Sequence, residues 1–273
     1  MGGGWVFETV GGGRETVRVL EKLLDLLIPR RCAACGARGE PCCARCGRVW
    51  GAVREVWRVP TTGVVRVFAL ARYSGVGRRL LIAYKERGRR DLAPSLGRAL
   101  AEALVELPLG SAHAEVAASA GAARGGPSGS VALPVKEPGS GGFVQLAAPP
   151  RSICLVPAPS RPSASRVRGG PHIERLANAT ARILAAHGVE VSVAPALELA
   201  GSARDAVGLN RAERLANLSG RLRFREAGRP PPGQPVVVLD DVVTTGATAA
   251  ACTRALAAAG VTVSAVLTLL SAG

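Results

Sequence analysis

The apolar positions along this chain change period several times. Leu20 to Ile28 has the spacing of a short amphipathic helix, stopped by Pro29. Apart from Arg66, Val64 to Leu70 is β-branched or apolar and predicts a strand. From Tyr73 to Arg90 the chain is basic, and Leu80, Leu81 and Tyr84 fall at helical spacing within it. Leu92 to Leu107 predicts a second helix, closed by Pro108. The later part alternates. Ile153 to Val156 is a strand, Ile173 to His187 a helix stopped by Gly188, and Val189 to Val193 a strand. Arg211 to Leu218 is a helix and Pro230 to Pro235 a loop. Val236 to Leu239 is a buried strand, Ala247 to Ala259 a helix ended by Gly260, and Val261 to Leu269 a strand. Strands alternating with helices predict an α/β fold, with a mostly parallel sheet covered by helices on both faces.

Two stretches carry no period. Residues 1–19 are Gly-rich, and residues 109–150 are dominated by Ala, Gly, Ser and Pro, a composition too poor in apolar surface to order itself. The expected organisation is a Gly-rich terminus (1–19), a cysteine-bearing module (20–60) and an α/β domain (61–108 and 151–273) interrupted by a low-complexity insertion (109–150). A chain of 273 residues, 48% hydrophobic, is long enough for one such domain with a true core. Aromatics make up only 3%, so that core is built from Val, Leu, Ile and Ala.

The formal net charge of +15 changes the picture by pointing to polyanionic partners: phosphates, nucleic acid or an acidic membrane surface. Lysine occurs only at Lys22, Lys85 and Lys136. A high-GC genome accounts for that preference for arginine, but not for the excess of base over acid. No apolar run reaches the ~18 residues of a membrane span. Met1-Gly2-Gly3-Gly4-Trp5 lacks the basic and apolar regions of a signal peptide, so no membrane insertion and a cytoplasmic location are expected. Thiols stay reduced there, and clustered cysteines read as metal ligands before disulfides.

The chemistry is concentrated in Val236-Val237-Val238-Leu239-Asp240-Asp241-Val242-Val243-Thr244-Thr245-Gly246-Ala247-Thr248. A buried strand ends in two acids, and a Thr/Gly loop leads into a helix. Ligands of open parallel sheets bind at the carboxyl ends of the strands. The unpaired N–H groups and the dipole at the helix start favour an anion there. Gly246 allows close approach of the backbone, and Thr244, Thr245 and Thr248 add hydroxyl donors. Asp240 and Asp241 repel phosphate. They suit vicinal ribose hydroxyls, or Mg²⁺ shared with substrate oxygens. A diol site beside a phosphate site fits a ribose 5-phosphate. No G-x-x-x-x-G-K-[ST] loop is present, which excludes an ordinary triphosphatase loop.

Cys32-Ala-Ala-Cys35 and Cys43-Ala-Arg-Cys46 form two C-x-x-C pairs a short loop apart, the spacing of a four-thiolate tetrahedral Zn²⁺ site. Gly36 and Gly47 follow the pairs and suit tight turns. Cys42 breaks the spacing if it replaces Cys43. Four protein ligands leave no open position, so the metal's role is structural. Cys154 and Cys252 lie in an apolar strand and an Ala-rich helix and read as core.

The acidic and Thr/Gly stretch resembles the signature of type I phosphoribosyltransferases, which bind 5-phosphoribosyl 1-diphosphate (PRPP). Together with the cysteine pairs it resembles the ComF family, phosphoribosyltransferase-like proteins linked to competence and DNA uptake. The resemblance covers roughly residues 20–107 and 151–270. It runs through Leu23 to Cys32, Tyr73, Ile82 to Gly88 and the Val156-Pro157-Ala158-Pro159 loop, and more loosely through Arg166 to Ala177, Arg204 to Leu209 and Arg214 to Asn217. It implies a type I phosphoribosyltransferase-like sheet with a small N-terminal zinc ribbon. It further implies that Pro157 and Ala158 face the pyrophosphate of PRPP. The ribose phosphate would lie on Asp240, Asp241 and the Val243-Thr244-Thr245-Gly246-Ala247-Thr248 loop, with Mg²⁺ bound alongside PRPP. Gly170-Pro171-His172 departs from the family's usual Phe-Asn-Gln, and Ala206 stands where Gln is usual.

Arg161, Arg166 and Arg168 could hold pyrophosphate or a nucleic-acid backbone, or simply form a solvated loop. Lys85 and Arg87 could line a polyanion track or a solvated helix face. A lone His172 reads as structural in preference to a general acid or base. No Ser/His/Asp set and no H-E-x-x-H is visible in the sequence. Two readings stay open. One is a Mg²⁺-dependent transferase acting on PRPP. The other is a non-catalytic adaptor that binds single-stranded DNA or a competence helicase through its zinc ribbon and basic surface. Trp50, Trp57 and Tyr73 are the few aromatics available for base stacking.

Overall fold

The computed structural model describes residues 30–109, 151–160, 170–200 and 221–273. The expected helices at Leu20–Ile28 and Arg211–Leu218 lie outside these residues. So do nearly all of the insertion, Arg161, Arg166, Arg168 and Ala206.

Among the described residues the elements run α1 (Ala44–Gly47), β1 (Arg54–Glu55), β2 (Val67–Arg72), α2 (Gly75–Glu86), α3 (Ala93–Glu106), β3 (Ser152–Pro157), α4 (His172–Ala186), β4 (Glu190–Val193), β5 (Leu197–Leu199), β6 (Leu222–Phe224), β7 (Val236–Val243), α5 (Ala247–Ala258) and β8 (Val263–Ser271). A six-stranded sheet has the order β1-β2-β8-β7-β3-β4, and only the edge strand β1 is antiparallel to its neighbour. The mostly parallel α/β sheet expected from the alternation is therefore present. β5 and β6 form a separate two-stranded antiparallel sheet, and the short β1, β5 and β6 were not legible in the apolar pattern.

The continuous apolar runs of the central strands reflect burial on both faces. From β7, Val237 and Leu239 pack with Leu80 of α2, Leu96 of α3 and Leu176 of α4. Val236 and Val238 pack on the opposite face with Cys252 and Leu256 of α5. Gly97 lets α3 and α4 cross closely, since a Cβ there would lie 2.9 Å from Ala179 Cβ and from the Thr180 backbone nitrogen. Cys154 and Cys252 are fully buried, as core residues should be.

β7 is longer than its apolar run. It continues through both aspartates to Val243, because β8 pairs with it all the way: Asp240 opposite Thr268, Val242 opposite Leu270, Val243 opposite Ser271. The connection leaving β3 goes out to β4, whereas that leaving β7 goes the other way to β8. The carboxyl ends of β3 and β7 thus flank the point where the winding reverses, the place where open parallel sheets bind ligands.

Candidate ligand site and cysteine centre

Two of the motifs read from the sequence meet at this switch point. Pro157 pairs with Leu239, and the Ala158 N–H donates to the Leu239 carbonyl at 2.8 Å. The Val-Pro-Ala-Pro loop therefore leaves the sheet directly beside the Asp240–Thr248 stretch. Gly246 is the N-cap of α5, with the left-handed φ of 81° that glycine tolerates and other residues resist. Among the described residues no N-cap side chain covers the helix end, and only the Ala247 N–H finds a nearby hydroxyl, that of Thr245 at 3.3 Å. Thr244 is exposed, and Thr245 and Thr248 are half-buried. The arrangement offers N–H and O–H donors at a positive helix end, which suits an anion.

Arg58 holds this loop from outside. Its guanidinium donates from Nε to the Thr244 carbonyl at 2.6 Å and from Nη2 to the Ala272 carbonyl at 2.7 Å. Gly246 lies hard against it, since a Cβ at this position would come 2.8 Å from Arg58 Cβ and 3.0 Å from Thr61 Cγ2. Nothing in the sequence singles Arg58 out, because the contact spans 186 residues.

The two aspartates do different things. Side chains alternate across a strand. Asp240 lines a narrow pocket of about 20 Å³ with Thr248 and Ala249, where β7 turns into α5. Burial, then the charge of Asp241, pushes the Asp240 carboxyl up to about 7. Asp241 is buried on the other face. Its Oδ2 accepts from Lys85 Nζ at 2.6 Å and from His172 Nε2 at 2.9 Å. Burial would raise its carboxyl, but the His172 hydrogen bond and the Lys85 ammonium outweigh that and hold it below the usual carboxylate range. An ammonium this close repels a divalent cation, so the neighbourhood of Asp241 favours hydrogen-bond donors over Mg²⁺.

Lys85 and His172 are thus tied into one chain of polar contacts. Tyr84, next to Lys85 on α2, donates its hydroxyl to the His172 carbonyl at 2.7 Å, and burial lifts its phenol to about 12. On the far side of the imidazole, Ser160 Oγ lies 3.3 Å from Nδ1. A Ser, a His and an Asp that share no sequence motif are adjacent in space. One signal did exist in the sequence: Lys85 is one of three lysines in a chain that otherwise uses arginine. Arg87 is exposed beyond the end of α2.

The cysteine pairs also converge. The Sγ atoms of Cys32, Cys35, Cys43 and Cys46 all lie within 4.8 Å of one another, with Cys35 and Cys43 at 3.6 Å. Sulfurs bound to one tetrahedral ion at ~2.3 Å sit about 3.8 Å apart, so these four could hold a metal ion. Against its own burial, the Cys32 thiol is brought down to about 6 by hydrogen bonds from the backbone of Cys43, Cys35 and Ala34. Cys42 is not part of the cluster. It is buried in the core behind it, and burial followed by the neighbouring thiols pushes its thiol up to about 11. Gly36 makes the left-handed turn expected of it, with φ 78°. Gly47 instead ends the one-turn helix α1, so the second pair is turned by helix and not by a glycine.

The cluster is fastened to α2. Arg79 Nε donates to the Ala34 carbonyl, and Arg89, just past α2, donates to the Arg31 carbonyl, both at 2.9 Å. A roomier cleft of about 300 Å³ opens along β1, walled by Arg54, Trp57, Arg58 and Arg72, with Trp57 75% exposed. No helix among the described residues is long and apolar enough to cross a membrane. Comparison with protein-family models and with curated proteins yields no match, which leaves the functional argument to the residues themselves.

Proposed function

We propose that this protein binds PRPP, or a related ribose 5-phosphate, at the carboxyl ends of β3 and β7, as a ComF-like protein with a type I phosphoribosyltransferase-like fold. The observation that carries this reading is the meeting of two loops at the switch point. Pro157-Ala158 leaves β3 beside the uncapped, Gly246-initiated start of α5, with Asp240 between β7 and that helix. The 5-phosphate lies on the N–H and hydroxyl groups of Thr244 to Thr248. Asp240 accepts from ribose hydroxyls, and Asp241 shapes the site through Lys85 and His172. The diphosphate faces the Pro157-Ala158 loop. Mg²⁺, when bound with the diphosphate, would supply charge neutralisation for the leaving group. Turnover is displacement at the anomeric carbon: the bond to an acceptor forms, the bond to diphosphate oxygen breaks, and diphosphate leaves with the electron pair. Zn²⁺ on Cys32, Cys35, Cys43 and Cys46 holds the segment that buttresses α2.

The test is thermal stability with and without PRPP and Mg²⁺. Ligand at ~100 times its dissociation constant adds about 2.7 kcal/mol, a rise of roughly 5–10 °C in a chain of this size. The rise is expected in the wild type and not in Asp240→Asn or Thr245→Ala. Its absence from the folded wild type would remove the reading.

A second reading, an adaptor that engages single-stranded DNA or a helicase during DNA uptake, is favoured by Trp57. An exposed indole flanked by Arg54, Arg58 and Arg72 combines a stacking surface with phosphate-pairing charge. Oligonucleotide binding that weakens steeply with salt and is lost in Trp57→Ala is the expected result under this reading.

A further inference from the structure

The loop that carries Gly246 and the cleft along β1 share one side chain, Arg58. A guanidinium has five N–H groups. Those of Arg58 reach the carbonyls of Thr244, Trp57 and Ala272 at 2.6, 2.8 and 2.7 Å, and the others remain for the cleft that Arg58 lines. Arg54 and Arg72 line the same cleft, and among the described residues neither has an ion-pair or hydrogen-bond partner. The one acid on the wall, Glu55, is held by Nε and Nη2 of Arg66 at 3.0 and 2.8 Å. Ala69 and Ala71 also line the cleft, and their small side chains leave room for a flat group beside the exposed Trp57 indole.

We propose that this cleft is a second ligand site, taking a small aromatic carboxylate, and that its occupancy tightens the phosphate loop through Arg58. The lining selects that class. A guanidinium pairs with a carboxylate through two parallel hydrogen bonds, and an indole takes a flat ring against its face. At about 300 Å³ the cleft is at the small end of ligand sites, enough for one ring system with its acid. Glu55 on the wall favours a single negative charge over a chain of phosphates. The link to the loop rests on the reading of Thr244 to Thr248 as a phosphate site. The Thr244–Thr245 peptide is trans, so the Thr245 N–H points opposite to the carbonyl that Arg58 holds. That N–H has no backbone partner among the described residues. Donation by Arg58 polarises the peptide and strengthens its N–H as a donor to an anion. A carboxylate on the remaining N–H groups of Arg58 fixes the guanidinium from its other side, and the Thr244 peptide with it. The positive charge of Arg58 stands between the two anions, and each site then favours binding at the other. Arg58 is a direct contact for the cleft ligand and a positioning residue for the loop.

The test is calorimetric titration of the full, metal-loaded chain with 2-naphthoate. Wild type is expected to bind it roughly tenfold more tightly than 2-naphthamide, which lacks the charge, or cyclohexanecarboxylate, which lacks the flat face. Arg72→Ala and Trp57→Ala, at exposed positions outside the core, should each lose about as much. Trp57→Phe should keep the affinity, and Thr245→Ala should bind as wild type does. With the cleft saturated, affinity for inorganic diphosphate and Mg²⁺ should rise about fivefold. Arg58→Lys keeps the charge but not the fork, and the rise should vanish in it. No binding by the folded wild type, equal binding by Arg72→Ala and Trp57→Ala, or a diphosphate affinity indifferent to 2-naphthoate would overturn the proposal. Displacement of 2-naphthoate by single-stranded oligonucleotides, with an affinity that grows with their length, would overturn it too and give the cleft to a nucleic-acid strand. Failure of diphosphate to bind a chain that still binds 2-naphthoate would instead remove the phosphate-loop reading and leave the cleft site standing.

Discussion

Asp240 and Asp241 are neighbours in the chain but face opposite sides of β7, Asp240 toward the start of α5 and Asp241 toward Lys85 and His172. One carboxylate is open to a ligand at the helix end, and the other is tied into the protein. Their roles separate in the predictions that follow.

Asp240 is raised to about 7 in the folded chain, against an ordinary value of ~3.9 when unfolded. A raised carboxyl holds its proton more tightly when folded. Its contribution to stability is therefore complete below pH ~4 and lost as pH rises through 7. Asp240→Asn is expected to be more stable than wild type by roughly 1 kcal/mol at pH 8 and no different at pH 4. Denaturant unfolding at the two pH values measures this, and a variant less stable at pH 8 would contradict the raised carboxyl.

The His172 hydrogen bond and the Lys85 ammonium together keep Asp241 ionised. Lys85→Met leaves a buried carboxylate with His172 as its remaining named partner, and about 2 kcal/mol of stability should be lost at pH 7 after allowing for the partial exposure of Lys85. Asp241 is depressed, so its contribution is present above the unfolded value and lost as pH falls through the folded one. The gap between variant and wild type should persist to acid pH and close only below the ordinary carboxylate range.

Gly246 combines a left-handed backbone with contact against Arg58. Gly246→Ala is expected to cost about 1–3 kcal/mol in urea unfolding, from the left-handed strain and from displacement of Arg58. Phosphate-ligand binding should fall with it. An alanine variant of unchanged stability would show that the loop relaxes without strain.

The cysteine cluster contains Cys43 and not Cys42, the choice that the spacing favours. Cys43→Ser should lose bound metal, whereas Cys42→Ser should keep one ion per chain by elemental analysis. Chelation should lower the unfolding temperature of the wild type. If it instead left stability unchanged in a metal-containing protein, the ion would not be holding the segment on α2.

Local pattern determined much of this protein. The central strands are continuous runs of Val, Ile and Leu because both faces are covered, and the helices carry their apolar spacing and their glycine stops on the surface of the sequence. The cysteine spacing and the Asp-Asp-x-x-Thr-Thr-Gly stretch were legible for the same reason: each places its chemistry within a few residues. Tertiary structure decided what depends on distant partners. β7 runs on through its aspartates because β8 lies alongside, and the strand's alternation then sends those acids to opposite faces. Lys85, Ser160, His172 and Asp241 come together from α2, the end of β3, the start of α4 and β7, and Arg58 reaches Thr244 across most of the chain. Burial on β7 turns a lysine and a lone histidine, ordinary in isolation, into the partners a carboxylate needs in order to stay charged away from water.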